Sequence, residues 1–260
     1  MRNGLLINNN VSNTKAWSHG IRLRFSLNNI ISGNTIINYY KGIRLRDSNH
    51  NTLSGNVVIN NNYGIEIYYS DNNYLIGNII NYNRIGISFS GSNHNNISGS
   101  IANNNDQGIK MHDSVSNIVS RNTVNNNSAS GISLIHSYSN IISENNANIN
   151  GASGIRLSDS HRNTITGNTA NKNYASGISL SESYLNTISG NVLLGNKQCS
   201  TEVDSQGNIF ENNDCGEGFP FNLIILILVF SGAPVICAGI LLFIGRKRHE
   251  YDDIGLGFFS

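Results

Sequence analysis

The sequence predicts an all-β chain folded as a right-handed parallel β-helix, a solenoid of about 8–9 coils of 22–23 residues, with a C-terminal transmembrane helix. Three observations carry this expectation. A Gly-Ile pair recurs at Gly20, Gly42, Gly64, Gly86, Gly108, Gly131, Gly154 and Gly177, in steps of 22 and then 23 residues. Positions at fixed offsets from each glycine keep one chemical type. A single long uncharged apolar run lies near the C-terminus, from Leu223 to Gly245.

The aligned columns reject the other reading of this composition, a disordered polar tract. Asparagine supplies 47 of the 260 residues, with 26 glycines, two prolines, 13% charged residues and a net charge of +1. So low a charge density excludes a binder of nucleic-acid phosphates, which needs a dense basic face. Disorder gives no reason to keep columns in register, yet the third residue after each glycine is always apolar, from Leu23 and Leu45 to Leu157 and Leu180. The sixth is always serine, from Ser26 to Ser183, and the ninth always asparagine, from Asn29 to Asn186.

Within one coil, Gly42-Ile43-Arg44-Leu45-Arg46 alternates with period two, so Ile43 and Leu45 point inward along a strand. Asp47 to Asn51 is a cluster of turn formers, Thr52-Leu53-Ser54 a second short strand, Gly55-Asn56 a bend and Val57-Val58-Ile59 a third strand. Three strands per repeat, stacked at about 4.8 Å, describe one winding of a rod roughly 40 Å long over eight coils. An inward asparagine at the same bend of every coil can donate and accept along the stack, which makes that column structural. The 23-residue coils place their extra residue in the third turn, at Asn127–Ser130, Gly151–Ser153 and Tyr174–Ser176. A leucine-rich repeat shares the period and an asparagine ladder, but Ser-Gly-Asn-Thr-Ile-Ile-Asn is a poor return helix.

The phrase Asn51-Thr52-Leu53-Ser54-Gly55-Asn56, followed by an Asn-rich turn and Gly64-Ile65, recurs from about Val11 to Asn213 and resembles the β-helix repeats of NosD-type proteins. That resemblance implies surface or periplasmic proteins with carbohydrate-binding and sugar-hydrolysis repeats, whose founding members assist copper-site assembly in nitrous oxide reductase. It is specific for the fold and weak for function, because the repeated residues are those the coil itself needs.

The expected organisation is β-helix over 1–198, cap and linker over 199–218, a membrane span over 219–245 and a tail over 246–260. The run Leu223–Gly245 is long enough to cross a hydrocarbon core of about 30 Å. Arg246-Lys247-Arg248-His249 follows directly, so the tail is expected in the cytoplasm and the rod outside. Cys199 and Cys215 could form a disulfide there. Asn10, Asn96 and Asn126 stand in N-x-S frames, although chance supplies several in so asparagine-rich a chain. Met1-Arg2-Asn3-Gly4-Leu5-Leu6-Ile7 runs straight into repeat-like sequence, so either the signal segment and first coils are missing, which is the expectation, or the lone span serves as its own late signal.

Function in a solenoid sits in its outward columns. The outward residues of the first strand are Arg22 and Arg24, Arg44 and Arg46, Glu66 and Tyr68, Ser88 and Ser90, Lys110 and His112, with Asp47 and Tyr69 adjoining at the turn. Arginines with tyrosines can hold an acidic or neutral glycan by forked hydrogen bonds and stacking. The ligand-binding candidates are therefore Arg22, Arg24, Arg44, Arg46, Glu66, Tyr68 and Tyr69. The competing reading is a solvated face whose arginines pair with Asp47 and Glu66.

No catalytic residues are assigned: Asp47, Glu66, Asp71, Asp106, Asp113, Asp159 and Glu182 fall mostly in different columns, without the convergence a site requires. Asp159-Ser160-His161-Arg162 resembles the tetrad of sugar epimerases, but the same turn reads Asp47-Ser48-Asn49-His50 elsewhere. No metal or cofactor is assigned either. His50 and His94 are two coils apart, about 10 Å by the strand spacing, and His112 with His136 is the one pair worth testing. The expected partners are the membrane, through one span, and an extracellular polysaccharide or other surface proteins. The functional expectation is a membrane-anchored structural or glycan-binding module, with a carbohydrate-active enzyme and a copper-handling accessory protein as alternatives.

Overall fold

A computed structural model describes residues 1–12 and 18–216 of the chain. The expected span at 219–245 and the tail lie outside the described residues. No helix long and apolar enough to cross a membrane occurs among the described residues.

Residues Met1–Asp214 form one compact unit of parallel strands, and every strand pairs with its equivalent one repeat away. Nine strands make the first sheet, eight at the Gly-Ile pairs and one beyond them, running from His19–Arg24 through Lys41–Arg46 and Tyr63–Tyr68 to Gln198–Val203. A second sheet has ten strands, from Leu5–Ile7 to Ile209–Glu211. The third begins with four strands and continues as single bridges from Ile79↔Ile101 to Val192↔Asp214. The result is a right-handed parallel β-solenoid, the sense that parallel crossovers take. The segment after residue 198, expected as cap and linker, continues the winding: Ser176 pairs with Gln198, Thr187 with Ile209 and Val192 with Asp214.

Each coil contributes one flat layer to the core. In one coil the layer is Ile43, Leu45, Leu53 and Val58, and in the next Ile65, Ile67, Leu75 and Ile80, all fully buried. Burying each such side chain stabilises the fold by roughly 1.5–3 kcal/mol. The layer that holds the large Phe89 holds the small Ala102 on its third side.

Corners of the rod are filled by amides. Asn51 Nδ2 donates to Asn73 Oδ1 at 3.0 Å, and Asn73 Nδ2 to Asn95 Oδ1 at 3.1 Å, so the asparagine file read from the sequence runs up the interior. Two further files, unread in the sequence, line the other corners. One runs through Asn34, Asn56 and Asn78, with Ser100 standing in for asparagine, and the other through Asn61, Asn83 and Asn105. The serine column also closes hydrogen bonds along the stack, for Ser48 Oγ accepts from Ser26 N and donates to Arg46 O. Buried polar groups at the bends are thereby satisfied without water.

The longer coils keep this register. Asn105 and Asn127 are 22 residues apart and Asn127 and Asn150 are 23 apart, while Ile109 still pairs with Ile132. The inserted residue therefore lies between the third asparagine file and the glycine, and the sheets on both sides stay paired.

Candidate functional site

The first sheet presents three outward files. Register places His19, Lys41 and Tyr63 in one, Arg22, Arg44 and Glu66 in the second, and Arg24, Arg46 and Tyr68 in the third. Alternation forces the second and third files outward because Ile21, Leu23, Ile43, Leu45, Ile65 and Ile67 occupy the core face, whereas the first file has the parity of those core residues and does not follow from the period. Arg22 and Arg24 are exposed, and Arg24 lies over the Phe25 ring at 4.7 Å from its centroid. Arg44 and Arg46 both lie over Tyr68, at 5.8 and 5.7 Å, and Tyr68 meets Tyr69 edge-on with centroids 4.4 Å apart. Tyr69 is 57% exposed, so its ring offers a free flank to solvent.

Glu66 stands apart from the other candidates. It is only 8% exposed, held by Lys41 Nζ at 2.5 and 2.7 Å and by Arg44 Nε at 2.8 Å. Two cations thus enclose it, and its part is to anchor the file of basic residues. Asp47 lies 3.4 Å from Arg46 Nε. The structure adds residues beyond those expected from the sequence. Lys41 lies 5.1 Å from the Tyr63 ring centroid and Arg84 5.0 Å from the same centroid, so Tyr63 sits between two cations. Lys41 stands two residues before the core-facing Ile43, so the strand period gives no signal for it; the ladder passes over Gly42, and Lys41 reaches Glu66 on the outer face. His19 Nε2 lies 3.4 Å from Arg44 Nη1.

Six cations (Arg22, Arg24, Lys41, Arg44, Arg46 and Arg84) therefore share this face with two carboxylates, Glu66 and Asp47. The field they create is visible at His19, whose imidazole is held below its ordinary value of 6.5, first by burial and then by Arg44, Arg22 and Lys41, against the pull of Glu66. Tyr69 is pushed up, chiefly by its hydrogen bond with Tyr68, so its phenol stays neutral. The chemistry on offer is a row of guanidinium forks and an ammonium, interleaved with aromatic edges and faces.

A second array lies at the turn that follows these strands. His112 Nδ1 is 2.8 Å from Asp113 Oδ2, and His136 Nδ1 is 3.6 Å from Asp113 Oδ1. On its other edge, His136 Nε2 is 3.5 Å from Asp159 Oδ2, and His161 Nε2 is 3.3 Å from Asp159 Oδ1. The histidine pair singled out in the sequence thus has rings 5.3 Å apart, joined through a carboxylate. Asp113 and Asp159, two coils apart, are bridged by the histidine between them. Tyr138, His161 and Tyr184 form an aromatic file, with centroid separations of 5.3 and 5.0 Å, along a shallow depression of about 330 Å³. Cys199 and Cys215 are both disulfide-bonded.

A family model described as "Periplasmic copper-binding protein (NosD)" matches residues 1–80 and 56–217. Among curated proteins none matches the sequence. Solved structures share the fold. The periplasmic alginate epimerase AlgG superposes with a TM-score of 0.70 at 20% identity, over 73% of this chain and 50% of that one. The Azotobacter vinelandii mannuronan C-5 epimerase AlgE6 A-module gives 0.70 at 14% identity, over 74% and 59%. The Dettilon tailspike protein gives 0.66 at 15% identity, over 81% and 54%. The chain spans from half to about three fifths of the length of these structures.

Proposed function

The chain belongs to the NosD family, and from that premise we propose that it is an extracytoplasmic β-helix module, anchored by the apolar run at 219–245, whose first sheet binds acidic polysaccharide. The observation that carries this reading is the excess of cations interleaved with Phe25, Tyr63, Tyr68 and Tyr69 on one flat face. Forked guanidinium groups match carboxylates, and sugar faces stack on aromatic rings. A flat strip suits a long chain polymer, which needs a track more than a cavity. Solved relatives of this fold include enzymes named for alginate, which fits a carbohydrate role.

Binding of acidic and neutral oligosaccharides to the full chain tests the proposal. Acidic chains are expected to bind, and Arg46→Ala and Tyr68→Ala each to weaken binding about tenfold, the size of a cation–π or charge-assisted contact of ~1–2 kcal/mol. Raising salt well above physiological ionic strength is expected to weaken binding further, since these charges are exposed. Undiminished binding in both variants, or equal affinity for neutral chains, would remove this face from the account.

Copper is the metal in the family description. The two methionines do not form a soft site: Met111 is fully buried in the core, and Met1 lies in the first coil. Cys199 and Cys215 are committed to disulfide bonding. The described residues therefore do not suit Cu(I), whereas the imidazoles and carboxylate of His112, Asp113 and His136 suit a divalent ion.

A further inference from the structure

We propose that His112, Asp113 and His136 form a binding site for a borderline divalent transition ion, Cu(II) or Zn(II), and that Asp159 orients its central histidine. One donor atom from each of the three residues lies within 4.8 Å of the other two. An ion with bonds of about 2.0–2.2 Å gathers donors up to ~4.2 Å apart, so closing the site needs a sub-ångström adjustment of each side chain. These side chains are 40%, 58% and 47% exposed, and such adjustments are open to them.

The second edge of His136 points to a ligand role. Its Nδ1 faces Asp113, while Nε2 faces Asp159 at 3.5 Å. A carboxylate on the far nitrogen fixes the tautomer and orientation of an imidazole whose near nitrogen binds metal. His161, on the other oxygen of Asp159, holds that carboxylate in turn. Three protein ligands on an exposed turn leave a coordination position open to water or to an oxygen ligand. Two imidazoles and a carboxylate favour Cu(II) over other first-row divalent ions of equal access. The turn itself tolerates this concentration of ligands because Asp113 and His136 occupy the left-handed region, at φ 49° and 46°, and their side chains stack on successive coils.

The full chain, stripped of metal by chelation, would be titrated with CuCl₂ and with ZnCl₂ by calorimetry, and the copper form recorded by electron paramagnetic resonance. One ion per chain is expected at micromolar concentration, with nitrogen hyperfine structure from two imidazoles. Asn occupies the left-handed region at many turns of this rod, so Asp113→Asn and His136→Asn keep the backbone, and circular dichroism checks that they do. Each is expected to weaken binding by tenfold or more, and Asp159→Asn by about tenfold, as for other outer carboxylates. His94→Gln, on the same turn of an earlier coil, is expected to change nothing. The proposal is overturned if the folded double variant His112→Gln/His136→Asn binds as the parent does, if His94→Gln loses as much, if the copper spectrum lacks imidazole nitrogen, or if no ion binds at micromolar concentration.

Discussion

Asn78 shows what an interior amide does in this rod. Its Oδ1 accepts from Asn56 N at 3.0 Å and Asn56 Nδ2 at 2.9 Å, while its own Nδ2 donates to Leu53 O at 2.9 Å. Asn78→Ala would orphan two buried donors and a carbonyl, at a cost of about 3 kcal/mol by the usual penalty for buried unsatisfied groups. Asn78→Ser is expected to cost clearly less, because Ser100 already accepts from Asn78 N at this position one coil on. Urea unfolding midpoints of the two variants check the order. The first asparagine file was legible because its column has no exception from Asn29 to Asn186. The other two are interrupted, by Ser100 in one and by Tyr39 in the other, and in a chain so rich in asparagine an interrupted column does not stand out. His19 supplies a pH test. Its folded value lies below 6.5, so the unfolded chain takes up the proton first as pH falls. Its contribution to stability is therefore full above 6.5 and is lost as pH falls from there through the folded value. His19→Gln is expected to flatten that part of the curve of unfolding midpoint against pH, and an unchanged slope would contradict the assignment.

At the level of the strand and turn, two kinds of glycine have opposite roles. A Cβ on Gly64 would stand 2.4 Å from Ile80 Cγ2 and 2.5 Å from the carbonyl oxygen of Gly86, the next coil's backbone. Gly64→Ala must push two coils apart and is expected to cost about 3 kcal/mol or more, at the upper end of overpacking. Gly55 has φ +59° with open space beside it, and its column carries Arg121 and Glu144 in later coils at φ 57° and 54°. Gly55→Asn is therefore expected to change stability by less than about 1 kcal/mol, since asparagine adopts the left-handed region readily. Thermal unfolding of the pair separates crowding from backbone conformation. The strands and both bends were legible from alternation and turn residues. Hidden in the sequence was the orientation of His136, because a side chain on a left-handed turn follows no strand period: the offset from Gly131 places the residue but does not turn its ring toward Asp113.

Over the whole rod, stacking converts a sequence column into a row about 4.8 Å apart, and function follows from which rows carry charge. The basic rows are densest in the early coils and the His/Asp row occupies the middle ones, while further along the same sheet the outward file reads Lys110, Ser133, Arg156 and Ser179. Arg22, Arg24, Arg44, Arg46 and Tyr68 were legible as a surface strip, since period two alone faces them outward, and Tyr69 because it adjoins them at the turn. The enclosure of Glu66 was not, because it depends on Lys41 and Arg44 closing on it from adjacent coils, a matter of side-chain reach. Hydroxyl-radical footprinting of the full chain, with and without an acidic oligosaccharide, reads this face directly. Protection is expected at Tyr63, Tyr68 and Tyr69, with Tyr82 and Tyr174, exposed elsewhere at 60% and 77%, oxidised as before. Protection of Tyr82 or Tyr174 with Tyr69 unchanged, or no protection at saturating ligand, would contradict the account.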